Sequence, residues 1–191
     1  MNLPILKIEN SNLVEFINYW SKLYNYPLEA LYNERISKKE FDKEDLQELF
    51  IWKNGMKLSA GKQKSLENKI LSKQKIINDL KQKEKIELKE FQKHFNELSA
   101  VWKIFLLHII RPNKFPIYDQ HINRAFNYIH GLDFHNISVS SMTNKSKEEF
   151  YFNTYLEFIE SLNGIDLKAL DEAFFAFGQF INTKTYIQMI N

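Results

Sequence analysis

Apolar residues recur three and four positions apart along most of the chain, and no alternating apolar and polar stretch exceeds a few residues. Such spacing places apolar side chains on one face of an α-helix, whereas alternation would indicate strands. The pattern therefore predicts an all-α fold, a compact multi-helix protein. We expect helices over residues 11–24, a short one after Pro27, and then 38–54, 65–95, 100–110, 119–130, 146–162 and 166–181.

Local sequence signals set the expected ends of these helices. Ser, Thr, Asp and Asn side chains accept hydrogen bonds from the first N–H groups of a helix, and a Glu three residues later completes a capping box. Glycine often ends a helix because it adopts positive φ without strain. The expected capping boxes are Ser37–Glu40 and Ser146–Glu149, the single caps are Ser11, Asp119 and Asp166, and the terminators are Gly55 and Gly131.

The segment 65–95 is rich in Lys, Glu and Gln and carries only a thin apolar stripe. It is expected to form one long helix or two broken ones, mostly exposed to solvent. A helix of this kind could serve as a docking surface for another protein, although its apolar spacing is too irregular for a regular coiled coil.

Length and composition limit the class of protein. With 191 residues, 44% of them hydrophobic, the chain can build one domain or two small lobes with a cleft between them. The expected lobes are residues 1–60 plus 146–191, and residues 61–145. Cysteine is absent, which excludes disulfides, thiol catalysis and cysteine-ligated metals. No signal peptide or membrane-spanning stretch is evident, so we expect a cytoplasmic monomer without membrane contact.

Positive charge is concentrated in one part of the chain. Residues 53–93 contain 12 Lys and 5 acidic residues, a local excess of +7, whereas the whole chain carries +2. Such an excess is typical either of a surface that binds a polyanion or of a solvated helix face.

The five His residues lack the spacing of metal ligands, so we expect neither a metal site nor a cofactor.

The stretch 113–126 carries the candidate chemistry. Asp119 follows a Pro-containing turn and starts a helix, whose N–H groups and dipole would hold a carboxylate ionised at a fixed point. A fixed carboxylate can stabilise the oxocarbenium-like transition state of N-glycosidic bond cleavage and can orient the attacking water. An Asp in this position is otherwise an ordinary helix cap.

This stretch resembles the catalytic turn of the helix-hairpin-helix superfamily of base-excision DNA glycosylases. Their turn reads Pro, two apolar residues, Asp, any residue, His or Asn, an aliphatic residue, any residue and Arg. Residues 116–124 follow this pattern from Pro116 through Asp119 and His121 to Arg124. The resemblance implies that Asp119 is the catalytic carboxylate and that residues 100–110 form the second helix of the hairpin.

Two departures from the family pattern shape the expected activity. The hairpin, at residues 94–100, lacks the glycines whose amides bind a DNA phosphate, so the preceding lysines would take over this role. Lyase-active members place a Lys where this chain has Ala100 and Val101. The resemblance therefore implies a monofunctional enzyme that uses water and that cleaves no DNA strand.

The expected site has three parts. The catalytic residue is Asp119. The residues expected to bind DNA are Lys53, Asn54, Lys62, Lys64, Lys69, Ser99, Lys103, Lys114 and Arg124. The residues expected to line the base pocket are Trp52, Trp102, Phe115, Tyr118, Gln120 and His121. Arg124 could instead pair with an acid such as Asp133, His121 could be a structural residue, and Trp52 could be a core residue beside a helix end.

The expected partner is double-stranded DNA containing a modified or damaged base, in DNA repair or in phage defence. The short chain and divergent hairpin favour an unusual substrate, such as a bulky modified cytosine of phage DNA. The alternatives are a non-catalytic DNA-binding protein and a helical protein-interaction module.

Overall fold

The prediction of an all-α fold is confirmed. The structure is a computed structural model that describes residues 12–138 and 142–183, and within these ranges it contains helices and turns but no β-strand. Short 3-10 segments follow α1 and α4, and a π-helical stretch, Tyr151–Tyr155, follows α9. The α-helices are α1 (Leu13–Trp20), α2 (Glu29–Asn33), α3 (Lys43–Asn54), α4 (Ala60–Lys69), α5 (Gln74–Gln82), α6 (Leu88–Phe95), α7 (Ala100–Ile110), α8 (Gln120–Ile129), α9 (Asn144–Phe150), α10 (Leu156–Ser161) and α11 (Leu167–Phe180).

The helices form two compact units. The first comprises the described parts of Met1–Tyr24, His121–His135 and Asp166–Asn191, and the second comprises those of Asn25–Gln120 and Asn136–Ile165. These bounds differ from the lobes expected from the sequence, because residues 25–60 fold with 61–120 and because α8 packs with α11.

In the first unit, aromatic side chains pack α1 against α11, and one glycine allows α11 to approach α8 closely. The ring of Phe16 on α1 packs edge-on against Phe174 and Phe177 of α11, at centroid distances of 5.8 and 5.2 Å. Gly178 of α11 lies against the start of α8, where a Cβ at this position would stand 1.9 Å from the carbonyl oxygen of His121. Only glycine therefore permits this approach of the two helices.

Helix α7 is the centre of the second unit. Its residues from Lys103 to Ile110 are all buried, as expected for a helix that is apolar on every face. Helices α5 and α9 pack on it. Phe105 contacts Phe50 and Trp52 of α3 at ring distances of 5.2 and 5.7 Å. The turn that leaves this buried helix is consequently anchored to the core at its beginning.

The start of α3 differs from the sequence expectation. Its capping box is Asp42 with Asp45, not Ser37–Glu40. The side-chain amide of Asn78 accepts from the backbone N–H of Phe41 and donates to the carbonyl of the same residue, both at 2.9 Å. Because these bonds hold Phe41 outside the helix, α3 can begin only after it.

Of the two forms expected for residues 65–95, the structure shows the broken one, with the segment divided among the end of α4, α5 and α6. The segment breaks at Ile70, where φ is −124° and ψ is −59°, and again between α5 and α6. The breaks fold the thin apolar stripe into the core, where Leu66, Ile70, Ile77, Leu80, Phe91 and Phe95 are buried. The segment is therefore part of the second unit.

The remaining helix ends show which local signals prevail. Asp166 caps α11, and Gly55 ends α3 with φ of 71°, which confirms both predictions. Thr143 caps α9 by accepting from the N–H of Ser146, so the predicted box starting at Ser146 is wrong. Asn12 caps α1, whereas the predicted cap Ser11 lies outside the described residues.

In the two described ranges, no helix has the length and apolarity needed to cross a membrane.

Candidate functional site

Three side chains hold the turn that leads from α7 to Asp119. His108 Nδ1 lies 2.7 Å from the carbonyl oxygen of Phe115, and the Tyr151 hydroxyl donates to that of Pro116 at 2.7 Å. Lys53 Nζ donates to the carbonyl of Tyr118 at 2.9 Å. Buried carbonyls require such donors, and here the donors come from α7, the π-helical stretch and α3. The backbone immediately before Asp119 is therefore fixed from three directions.

A buried hydrogen-bond relay orients the first of these donors. Because the carbonyl of Phe115 can only accept, His108 Nδ1 carries the hydrogen and its Nε2 is the acceptor. The hydroxyl of Tyr32 donates to this Nε2 at 2.7 Å, across 76 residues of sequence. Tyr32 and His108 are both buried, so the relay fixes the imidazole's tautomer and its orientation.

Asp119 and Lys53 form an ion pair at the end of this turn. Lys53 Nζ stands 3.4 Å from Asp119 Oδ2, and the side chains are 7% and 27% exposed. This separation is longer than the about 2.7–2.9 Å that is usual for a hydrogen bond between an ammonium and a carboxylate. The bond from Lys53 Nζ to the carbonyl of Tyr118, at 2.9 Å, is the shorter of its two contacts. Asp119 directly precedes α8, as expected from the sequence. The carboxylate is thus partly accessible and is restrained through both its backbone and its side chain.

Tyr26 is a further polar residue beside this pair. Its hydroxyl donates to the carbonyl oxygen of Lys53 at 3.3 Å. Burial, followed by the negative charges of Asp119 and Glu29, raises the pKa of Tyr26 to about 12. The phenol therefore stays protonated at any physiological pH and remains a hydrogen-bond donor to the carbonyl of Lys53.

The residues expected to line a base pocket are largely core residues. Trp52, Phe115 and Tyr118 are buried, and the indole N–H of Trp52 donates to Glu29 at 2.9 Å. Trp102 is half-buried, and its ring contacts Phe50 at 5.1 Å. Gln120 is half-buried and is the first residue of α8. Three of the expected pocket residues, Trp52, Phe115 and Tyr118, are therefore part of the core of the second unit.

The predicted hairpin corresponds to α6, a short turn and α7. Two lysines from the preceding segment contact this region: Lys69 Nζ donates to the carbonyl of Glu97 at 3.1 Å, and Lys73 Nζ donates to that of His94 at 2.5 Å. Ser99 is exposed directly before α7. Lys69 and Lys73 therefore link the segment of α4 and α5 to the end of α6 and to the turn before α7.

The other residues expected to bind DNA fall into two groups. Lys62, Lys64 and Lys114 are exposed, and Lys62 Nζ donates to the side-chain oxygen of Asn54 at 2.5 Å. Lys103, in contrast, is 8% exposed and forms an ion pair with Glu148 at 2.8 Å. A buried, paired ammonium is poorly placed to reach a phosphate, so Lys103 serves to join α7 to α9.

Arg124 also has a structural environment. It lies in the first unit, is 3% exposed, and donates to the carbonyl of Gly178 at 3.1 Å. It also bonds to His121 Nδ1 at 2.9 Å, where the imidazole must accept because a guanidinium only donates. His121 in turn packs edge-on against Phe175. Arg124 and His121, both residues of the motif, therefore link α8 to α11.

Several residues of the site were not anticipated from the sequence. Tyr26, Glu29 and Tyr32 come from the segment around α2, and Tyr151 comes from the π-helical stretch. No local motif marks them, because each acts on a residue at least 23 positions away. The only available signal was the high density of tyrosines, whose hydroxyls usually find partners when buried.

Searches for metal sites and for similar proteins add nothing to this geometry. Within the part of the chain that the structure describes, no three His, Asp or Glu side chains are grouped so that they could hold a metal ion. Comparison of the chain with protein-family models, with curated proteins and with solved structures finds no match.

Proposed function

We propose that this protein is a monofunctional DNA glycosylase, which flips a modified or damaged base out of double-stranded DNA and hydrolyses its N-glycosidic bond. The observation that carries the proposal is the position of Asp119, whose carboxylate directly precedes α8 on a turn held by three side-chain donors. The reaction needs water and no cofactor, and it leaves an abasic site.

The proposed reaction uses the negative charge of Asp119. As the bond between C1′ and the base nitrogen breaks, its electron pair leaves with the base and positive charge develops on the sugar. A carboxylate beside the sugar stabilises this charge. Water then adds to C1′ and gives one proton to Asp119, while the released base takes up one proton from solvent.

Restraint of the carboxylate supports this role. Electrostatic stabilisation is effective when the charged group is already in place and does not have to reorganise during the reaction. Lys53 contacts both the carbonyl of Tyr118 and the carboxylate of Asp119, so we assign it a positioning role instead of the phosphate contact expected from the sequence.

The proposed DNA surface follows the exposed lysines. Proteins bind DNA phosphates mainly through Lys, Arg and backbone N–H groups, and these contacts carry no sequence information. Lys62 with Asn54, and Lys69 beside the hairpin turn, are supported by their positions in the second unit. Lys64, Ser99 and Lys114 complete the set. Lys103 and Arg124 are removed from it because both are buried.

The experiment uses duplex DNAs that contain normal, oxidised, alkylated or bulky phage-type modified cytosine bases, with alkali-labile sites as the readout. We expect the wild type to release at least one modified base. Asp119→Asn should lower the rate by about 100-fold or more, because it removes the charge that stabilises the sugar cation. It should keep the fold and the affinity for DNA, since Asn has nearly the same shape as Asp and the turn keeps its three donors.

The matched control is Asp79→Asn, a change of an exposed acid on α5 in the same unit, which should leave the rate unaltered. Full activity of Asp119→Asn would refute the proposed mechanism. DNA binding without release of any base would favour the non-catalytic DNA-binding protein, and the absence of DNA affinity would favour the protein-interaction module.

A further inference from the structure

Two basic side chains meet at the carboxyl end of α7, in the second unit. Lys81 of α5 donates from Nζ to the carbonyl oxygen of Ile109 at 2.8 Å. Arg111, which follows α7, donates from Nη1 to the carbonyl of Lys81 at 2.5 Å and to that of Ile110 at 3.4 Å. The ammonium and the guanidinium are therefore bonded to adjacent carbonyls of one helix end, and the guanidinium is also bonded to the backbone of the lysine.

The position of Lys81 is fixed by its surroundings. Its ammonium lies 4.2 Å from the centroid of the Phe41 ring, within the range of a cation–π interaction. Phe41 is buried, and its backbone is bonded to Asn78, three residues before Lys81 on α5. Because the lysine is already held in one place, an anion that binds beside it has little side-chain freedom left to remove.

The positive charge of this pair is not balanced by an acid. Within residues 12–138 and 142–183, no carboxylate forms an ion pair with Lys81 or Arg111. The carboxyl end of a helix carries only about half a negative charge, against two full positive charges here. Burial, followed by the positive charge of Arg111, lowers the pKa of Lys81 to about 8. An anion bound at this helix end would therefore stabilise both cations.

Both cations have N–H groups that the described part of the protein does not use. An ammonium has three, and the carbonyl of Ile109 accepts one of those of Lys81. A guanidinium has five, and Arg111 donates from Nη1 alone. The side chain of Arg111 is half-buried, and its Nε and Nη2 atoms are not closed off from solvent. The parallel N–H groups of this edge match two oxygen atoms of one phosphate.

We infer that Arg111 and Lys81 form a phosphate-binding site, in which the Nε–Nη2 edge of Arg111 binds two phosphate oxygens and the ammonium of Lys81 supplies a second positive charge. A phosphodiester of the DNA backbone and a free phosphate compound offer the same chemistry to this pair. The inference goes beyond the proposed glycosylase function and does not depend on it, because it uses none of the residues assigned to that reaction.

The first test follows the pKa of Lys81 in the full chain, through its ¹³Cε resonance assigned by through-bond NMR. The probes are pyrophosphate and a short duplex of unmodified DNA, each compared with sodium chloride at the same ionic strength. We expect a saturating probe to raise the pKa of Lys81 by about one, because a nearby anion favours the charged lysine. Lys75, an exposed residue of the same helix, is the control and should keep its pKa in pyrophosphate.

The second test measures the affinity for the probe that produces this response. A rise of one in the pKa means that the charged lysine binds the anion about ten-fold more tightly than the neutral one. Lys81→Met should therefore weaken binding by about ten-fold. Arg111→Lys keeps the charge but lacks the planar edge, and it should weaken binding at least about three-fold. Lys75→Met is the matched control and should bind as the wild type does.

Each outcome supports or refutes the site. A response of Lys81 to pyrophosphate supports a site for free phosphate compounds, and a response to the duplex alone supports a contact with the DNA backbone. A pKa of Lys81 that neither probe changes refutes the site, as does an equal change at Lys81 and Lys75 in pyrophosphate. Wild-type affinity in both Lys81→Met and Arg111→Lys also refutes it. If a variant fails to fold, the titration of the wild type decides alone.

Discussion

The ammonium of Lys53 lies 3.4 Å from the carboxylate of Asp119, although 66 residues separate them in the chain. The same ammonium donates to the carbonyl of Tyr118, so a single side chain at the end of α3 restrains both the backbone and the functional group of the turn. In the proposed reaction, an amine at this place would lie near the sugar that Asp119 acts on.

We predict that the reaction product is an intact abasic strand. The amine of Lys53 donates to the carbonyl of Tyr118 and pairs with Asp119, that of Lys103 pairs with Glu148, and the hairpin positions 100 and 101 carry no amine. Both amines are thus engaged with other groups of the protein, and neither is placed at the position from which an amine would form a Schiff base with the sugar. Denaturing gels without alkali should show no nicked strand. A covalent adduct trapped by borohydride, present in the wild type and lost in Lys53→Arg or Lys103→Arg, would contradict this prediction.

The salt dependence of DNA affinity should identify the lysines that contact phosphate. Each phosphate neutralised on duplex DNA contributes about −0.9 to the slope of log K against log salt. Replacing Lys62, Lys64 and Lys69 by Ala should therefore flatten the slope by up to about 2.7 and should weaken modified and unmodified DNA equally. The control variant replaces Lys22, Lys39 and Lys145, which are exposed outside the basic segment. Equal slopes for both variants would mean that the basic segment is only a solvated surface.

Gly178→Ala should strongly destabilise the first unit. The added Cβ would stand 1.9 Å from the backbone oxygen of His121, and backbone atoms cannot yield as a flexible side chain can. We expect a loss in the free energy of unfolding of about 3 kcal/mol or more. Gly61→Ala is the control, because nothing lies within 4 Å of its Cβ and Ala favours helices by about 1 kcal/mol. Urea denaturation in which both variants behave alike would disprove the close approach of α8 and α11.

The pKa of Tyr26 should report the charge of Asp119 without any assay of activity. Tyrosine ¹³Cζ resonances, assigned with the help of Tyr26→Phe, should show Tyr26 titrating at about 12. Asp119→Asn and Glu29→Gln should each lower this pKa, but not to the ordinary value of about 10, because burial is the largest cause of the shift. An unchanged pKa in both variants would place the carboxylates too far from the phenol.

The same shift has a consequence for stability. Because the pKa of Tyr26 is higher in the folded than in the unfolded chain, its contribution is fully present below pH of about 10 and is lost as pH rises towards 12. Tyr26→Phe should lack this part of the alkaline destabilisation.

Local chemistry explains which parts of the fold could be predicted. The caps at Asp166 and Gly55 depend on neighbouring residues only, and both were correct. The box predicted at Ser37–Glu40 was wrong, because α3 begins after Phe41, whose backbone is bonded to Asn78, 37 residues further along the chain. Sequence spacing holds no information about such a distant partner.

In the candidate site, too, features set by neighbouring residues could be predicted, whereas features set by distant partners could not. The placement of Asp119 directly before α8 follows from the motif itself. The burial of Lys103 could not be foreseen, because its partner Glu148 lies 45 residues away, and a lysine near a proposed DNA site is ordinarily expected to be exposed. Likewise, the contacts of Tyr26 with Lys53 and of Lys53 with Tyr118 exist only once α3, the segment before α2 and the turn have packed together.

The three donors to the turn before Asp119 also restrict which insertions and deletions this protein can tolerate. Ordinary surface loops tolerate insertions and deletions because their backbone groups bond to water. Here the carbonyls of Phe115, Pro116 and Tyr118 each have a dedicated donor. Adding or deleting one residue among them would pair at least one donor with the wrong carbonyl and move Asp119 away from Lys53. The segment between α7 and α8 should therefore accept substitutions while keeping its length, and it is an unsuitable place for a tag, a label or a circular permutation.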